Sequence, residues 1–131
     1  MSALRDSREV DCPFCSLAGT PLVYESERVL GFRDRFPVSD GHTLIIPRRH
    51  AVTYFDAFEE ERAELWQAVE AVKRDLDREL QPDGYNVGFN AGEAAGQTVM
   101  HLHVHVIPRY RGDMADPRGG VRGVIPEKQR Y

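Results

Sequence analysis

The apolar residues fall into short alternating or continuous clusters and one long periodic stretch. Between Leu22 and Phe32 two runs rich in Val, Leu, Tyr and Phe flank the polar pair Ser26-Glu27, the pattern of a hairpin. Thr43-Leu44-Ile45-Ile46 is a compact apolar strand stopped by Pro47. Asp56 with Glu59 three residues on has the form of a capping box. Leu65, Val69, Val72, Leu76 and Leu80 then recur at steps of four and three, which predicts an amphipathic helix ended by Pro82-Asp83-Gly84. Tyr85 to Asn90 alternates as a strand, Asn90 to Gly96 is a glycine-containing loop, and Thr98 to Ile107 is the last long strand before Pro108. Three strands, a helix and two strands make the class α+β: an antiparallel sheet of about five strands with one long helix on its apolar face. One domain is expected over residues 1–131, and from Gly112 onward four glycines and two prolines predict an irregular tail.

Composition narrows the function. A chain of 131 residues, 41% hydrophobic and 29% charged, is long enough to bury a core of its own. Met1 to Asp11 is polar, with no apolar segment of a secretory signal. No run approaches the roughly 18 apolar residues of a membrane span. The expectation is a cytoplasmic protein without a membrane partner. A net charge of −4 argues against stable nucleic-acid binding, which needs a basic face. Six Arg/Lys and three Asp/Glu from Pro108 to Tyr131 give +3 there and leave −7 for the rest. That asymmetry fits a small anionic ligand and fits a solvated tail equally well. The two cysteines, Cys12 and Cys15, have a spacing that suggests metal or redox chemistry.

The histidines carry the chemistry. His42 and His50 flank the third strand, and the other three sit on the last. Side chains alternate along a strand, so His101, His103 and His105 share one face, while Met100, Leu102, Val104 and Val106 share the other. Three imidazoles on one face lose hydration and repel once protonated, which a merely structural role would not favour. A three-histidine metal site is one reading. At roughly 3.3 Å per residue, however, His101 and His105 have Cα atoms on the order of 13 Å apart, and zinc–nitrogen bonds of about 2.0–2.1 Å would strain the strand. The other reading gives the rings separate tasks: a nucleophile, a polariser and a support. The preceding loop, Asn90 to Thr98, favours it, because two glycines let backbone N–H groups approach a phosphate. Asn90, Gln97 and Thr98 can donate hydrogen bonds to oxygens on which charge grows.

The run His101-Leu102-His103-Val104-His105-Val106-Ile107 resembles the signature of the histidine-triad (HIT) superfamily. The resemblance extends through Cys12-Pro13-Phe14-Cys15, Gly41-His42-Thr43-Leu44-Ile45-Ile46-Pro47, Asn90 and Ala95-Gly96-Gln97-Thr98-Val99. Gly96-Gln97-Thr98-Val99 and His105-Val106-Ile107-Pro108-Arg109 are similar to the Fhit-type dinucleoside polyphosphate hydrolases. The cysteine pair is closer to the bacterial Hint-like proteins and galactose-1-phosphate uridylyltransferase. The resemblance implies a HIT-like fold and a nucleotide hydrolase or nucleotidyl transferase that attacks the α-phosphate through a covalent nucleotidyl-histidine. Its substrates would be dinucleoside polyphosphates or nucleoside phosphoramidates, with a purine base. By the same carry-over His103 is the nucleophile, His105 contacts phosphate oxygens, and His42 supports the cluster. Gln97 and Thr98 hold the phosphate and leaving group with Asn90 nearby, Asp34 meets the ribose, and Phe14 and Leu17 line the base pocket. Arg35 departs from the apolar residue common there in the Hint branch.

Cys12-Pro13-Phe14-Cys15 also resembles a glutaredoxin site, but no apolar strand precedes it; two buried thiols are a second reading. The third is structural zinc: the resemblance to the uridylyltransferase site adds His50 and His101, a closed Cys₂His₂ set. No organic cofactor is expected. The resemblance further implies a homodimer joined by the long helix and the Tyr85–Asn90 strand, with Trp66 beside the apolar stripe. Two rival readings are a metallohydrolase using the triad as ligands and a nucleotide-binding sensor or scaffold.

Overall fold

A reversal at Ser26, whose N–H donates to the Val29 carbonyl, turns the first strand back on the second. In a computed structural model that describes residues 11–131, these are β1 (Tyr24–Glu25) and β2 (Val29–Arg33). They are followed by β3 (Thr43–Pro47), α1 (Glu59–Leu80), β4 (Gly84–Gly88) and β5 (Val104–Arg109). The polar stretch read as lacking a secretory signal lies, apart from Asp11, outside the described residues. All neighbours in the sheet are antiparallel, in the order β1-β2-β3-β5-β4. The fold is the α+β arrangement the pattern predicts, five strands with one long helix.

Register sorts the side chains. Gly31 faces Ile45, Ile45 faces Val104, and Val106 faces Val87 across the ladders, so these residues share the helix side. There Val29, Ile45, Val104 and Val106 bury against Leu65, Ala68, Val72 and Leu76 of α1. Each fully buried Leu or Val contributes about 1.5–3 kcal/mol. Leu44 faces His105 and Leu30 faces Ile46, which puts the opposite alternation on the other side of the sheet. Phe32, Leu44 and Ile46 form a second apolar cluster there, covered by Phe14, Leu17 and Leu30. The helix therefore occupies one face, and the histidines open on the other.

Three boundaries differ from the sequence expectation. Asp56 does not cap α1; its carboxylate accepts from the Thr53 N–H at 3.0 Å within a separate 3₁₀ turn, Tyr54–Asp56. The helix starts at Glu59, and the Glu61 carboxylate accepts from the Phe58 N–H at 2.7 Å. Glu61 wins this place because Arg49 holds it inward with two bonds of 3.0 and 2.8 Å. The last strand begins at Val104 rather than Thr98, because its ladder with β3 stops at Ile45–Val104 and Ile46 and Pro47 pair with β2 alone. Beyond that point the chain is tied by Leu102 N–H to the Ala51 carbonyl, 2.7 Å. β4 stops at Gly88, because Phe89 leaves the ladder to stack on Tyr54 with ring centroids 4.6 Å apart.

At its C-terminal end α1 closes on Gln81, whose φ of 52° is left-handed and whose N–H reaches the Leu76 carbonyl. Leu80, placed on the stripe by its spacing, is 38% exposed, while Ala68 is buried. The tail is not wholly irregular: residues Gly120–Val124 and Pro126–Lys128 form 3₁₀ turns. Arg122 ties them together by donating to the carbonyls of Lys128 and Gln129. Among the described residues no helix is long and apolar enough to cross a membrane.

Candidate active site

His42 is delivered by the turn from Asp34 to His42. The turn closes through Asp34 N–H to the His42 carbonyl (2.9 Å) and His42 N–H to the Ser39 carbonyl (3.1 Å). Gly41 makes it possible. Its φ is +89°, and a Cβ there would stand 2.7 Å from Leu80 Cδ1 and 2.8 Å from Leu76 Cδ2. The turn thus rests directly on the end of α1, and His42 is 2% exposed.

Backbone partners decide the tautomer of each ring. The Val38 N–H donates to His42 Nδ1 at 3.0 Å, so the proton of neutral His42 is on Nε2. His42 Nε2 lies 2.9 Å from His105 Nδ1 and donates to it, which puts the His105 proton on Nε2. His103 Nδ1 lies 2.8 Å from the His101 carbonyl, an acceptor only, so Nδ1 carries the proton and Nε2 keeps a lone pair. The outcome is a bare nitrogen on His103 and an N–H donor on His105, with the two rings 5.1 Å apart. Burial pushes His105 down to about 4, helped by the neighbouring His103 and His42. Burial also lowers His42, against the pull of Asp34. Both rings are neutral at neutral pH, as the chain of donors requires.

The remaining residues expected at the site fall into three groups. Asp34 sits with the histidines: one oxygen is 3.4 Å from His42 Nε2, and the other accepts from the Phe36 N–H at 2.9 Å. Phe14 stands edge-on to His103 at 5.2 Å and to Phe32 at 5.4 Å, so with Leu17 it walls the histidine face in apolar surface. Asn90 lines a groove of about 640 Å³ together with His42, His105, Trp66 and Phe89. Gln97 behaves otherwise. It is 2% exposed, its Oε1 accepts from the Gly92 N–H at 2.8 Å, and its Nε2 donates to the carbonyls of Val52 (2.6 Å) and Val99 (3.1 Å). The amide is turned into the protein and closes the 92–97 loop on itself. Thr98 is exposed, beside Cys12, Pro13 and His50. Arg35 is exposed, next to Asp34.

The fourfold cluster of Cys12, Cys15, His50 and His101 assembles as the resemblance implies, all four ligand atoms within 4.8 Å of one another. His101 is fully buried; its Nε2–H donates to the Pro47 carbonyl at 2.8 Å, which leaves Nδ1 bare. That lone pair faces Cys12 Sγ at 3.4 Å and Cys15 Sγ at 3.5 Å, while Cys15 Sγ is 3.1 Å from His50 Nδ1. Bonds of about 2.3 Å to sulfur and 2.0–2.1 Å to nitrogen, at tetrahedral angles, set neighbouring ligand atoms about 3.3–3.8 Å apart. The donor types and the spacing fit zinc.

Sequence reasoning missed the backbone groups that set the protonation pattern: the Val38 N–H and the carbonyls of Pro47 and His101. Any residue type supplies such groups, so no side-chain signal marks them. Gly41, directly before His42, was the one visible trace.

A HIT domain model matches residues 18–112 of the chain. Among solved structures, a hypothetical histidine triad nucleotide-binding protein from Sulfolobus tokodaii superposes with a TM-score of 0.73 at 40% identity, covering 80% of this chain and 73% of that one. A Zn-bound histidine triad family protein from Mycobacterium smegmatis gives 0.74 at 38% identity, covering 81% and 80%. The asymmetrical bis(5'-nucleosyl)-tetraphosphatase of Schizosaccharomyces pombe is 32% identical over 98 residues, 75% of this chain and 54% of that enzyme.

Proposed function

From a chain that belongs to the HIT family and holds His103 with a bare Nε2 beside an outward-facing His105 N–H, we propose a nucleotide hydrolase or nucleotidyl transferase acting at the α-phosphate. The pair of tautomers is the observation that carries this reading. His103 Nε2 attacks the α-phosphorus; a P–N bond forms, and the bond to the leaving group breaks with its electron pair. The ring becomes a cation, and its Nδ1–H bond to the His101 carbonyl strengthens as that charge develops. His105 Nε2–H donates to a non-bridging oxygen and, being neutral, keeps the proton it needs for this. Water, or another acceptor, then attacks phosphorus and returns the electron pair to Nε2.

Phe14 and Leu17 give the base, a purine, its apolar wall, and Asp34 meets the ribose. Asn90 and Thr98 contact the phosphate and leaving group, and Gln97 fixes the loop that carries them. The S. pombe relative favours dinucleoside polyphosphates over nucleoside phosphoramidates as the first substrates to try. Zinc at Cys12, Cys15, His50 and His101 would hold the N-terminal segment to the chain just after β3 and just before β5 without entering the reaction. A homodimer through α1 and the free edge of β4 would cover Trp66 and Val87, each 37% exposed, in a cytoplasmic protein. Metal catalysis by the triad is disfavoured by the same tautomers. His105 Nδ1 is occupied by His42, and His101 Nδ1 points at the cysteines, so the three rings do not offer three lone pairs to one ion.

Rapid quenching with α-phosphate-labelled dinucleoside polyphosphate tests the reading. An acid-labile, base-stable label on His103 is expected. Label on another residue refutes the mechanism, and binding without turnover across both substrate classes would make the protein a nucleotide sensor.

A further inference from the structure

We propose that the Cys₂His₂ cluster positions the nucleophile, with His101 and Phe14 as the two positioning residues that transmit its state to His103. The inference rests on the functional reading above and adds a role for a centre that would otherwise only hold the fold. His101 is fixed from both sides of its ring: Nε2–H on the Pro47 carbonyl and Nδ1 toward the two sulfurs. The backbone carbonyl of the same residue is the acceptor that keeps the His103 proton on Nδ1. One residue therefore joins the metal-ligating cluster to the atom that determines which nitrogen of His103 is bare.

Phe14 provides a second contact, and the two act together to hold one tautomer. It lies between the two cysteines in sequence, and its ring stands edge-on to both His101 (6.0 Å) and His103 (5.2 Å). Anchoring Cys12 and Cys15 on one ion fixes the Cys12–Cys15 turn, whose Cys15 N–H donates to the Cys12 carbonyl at 3.2 Å. Phe14 is then pressed against the His103 ring. Residues 98–103 lie outside the regular ladder of β5, and the peptide that carries the His101 carbonyl is anchored by a single backbone bond, Leu102 N–H to the Ala51 carbonyl at 2.7 Å. Without the ion, His101 Nδ1 keeps only the weak thiol contacts of Cys12 and Cys15 (3.4 and 3.5 Å) beside the Pro47 bond on Nε2, the peptide that carries its carbonyl can tilt about the Leu102–Ala51 bond, and His103 samples both tautomers. In the Nε2–H form it has no lone pair to direct at phosphorus.

The experiment is ¹⁵N histidine NMR at one fixed pH on the zinc-loaded full chain, the chelator-stripped chain, and Cys12→Ser, alongside kcat and KM for a dinucleoside polyphosphate. Loaded wild type should show His103 as a single Nδ1–H tautomer. Stripping should give a mixture and lower kcat about tenfold with KM within twofold, and returning zinc should restore both in wild type but not in Cys12→Ser. Phe14→Leu, which keeps all four ligands, should retain one zinc yet still show the mixed tautomer; it decides the matter if the stripped chain unfolds. A single unchanged His103 tautomer in a folded stripped chain, or in Phe14→Leu, overturns the proposal. The NMR readout needs no turnover, so a chain that hydrolyses nothing would refute the functional reading while the coupling is still decided.

Discussion

Replacing Gln97 by alanine separates a residue that touches substrate from one that holds the loop. The side chain is 2% exposed and makes three hydrogen bonds, all to backbone groups: Gly92 N–H and the Val52 and Val99 carbonyls. Each such bond contributes about 1 kcal/mol net, so Gln97→Ala should lose about 3 kcal/mol of stability. With an unfolding entropy of roughly 2.1 cal/mol/K per residue, a chain of 131 residues has about 0.28 kcal/mol/K at the midpoint. The loss therefore appears as a fall in Tm of about 10 °C. Gln97→Glu should be at least as damaging despite its matching shape, because a carboxylate keeps the acceptor for Gly92 but meets two carbonyls without a proton to offer. Differential scanning calorimetry measures the shift, and steady-state kinetics well below Tm measures the consequence for the site. A loosened loop should lower kcat by about tenfold or less. If Gln97→Ala melts within about 2 °C of wild type while kcat falls a hundredfold or more, the amide works on the substrate and the assignment to the loop is wrong.

His103→Ala should lower kcat by several orders of magnitude with nucleotide affinity largely intact by calorimetric titration, whereas His105→Ala, which removes a donor and leaves the nucleophile, should lower it less; equal losses would contradict the separate roles. His105 is held near 4 against an ordinary 6.5, so between those values the unfolded chain binds the extra proton and stability falls as pH drops through that window. The slope is at most about 1.4 kcal/mol per pH unit for this ring, and urea midpoints at pH 7 and pH 5 should differ less in His105→Asn than in wild type. Elemental analysis of protein purified without added metal should find one zinc per chain, reduced in Cys12→Ser; equal content in both would remove that ligand set. Light scattering should give twice the chain mass, and a monomer across the micromolar range would refute the dimer through α1 and β4.

Periodicity made the element order and the sheet's two faces legible, because burial acts on side chains and leaves its alternation in the sequence. The stripe Leu65, Val72 and Leu76 and the alternation of Val104 and Val106 are where the core lies. Element ends were less legible. Whether Asp56 or Glu61 caps α1 depends on Arg49, ten residues before the helix, and on nothing in the local spacing. The candidate site divides in the same way. Side-chain identity exposed the histidines and the cysteine pair, and the strand period placed His103 and His105 on one face. What the period could not reveal is why three alternating histidines end in different states. His101 stands three residues before Val104, where the ladder to β3 has not yet begun, and its ring turns to the Pro47 carbonyl and the sulfurs. His105 still lies within the ladder, opposite Leu44, where His42 can reach it. His103 falls between the two and donates its Nδ1–H to the backbone carbonyl of the first. The end of the β3–β5 ladder is thus what divides one repeated residue type into a ring turned to the sulfurs, a ring with a bare Nε2 and a ring whose Nδ1 is taken by His42.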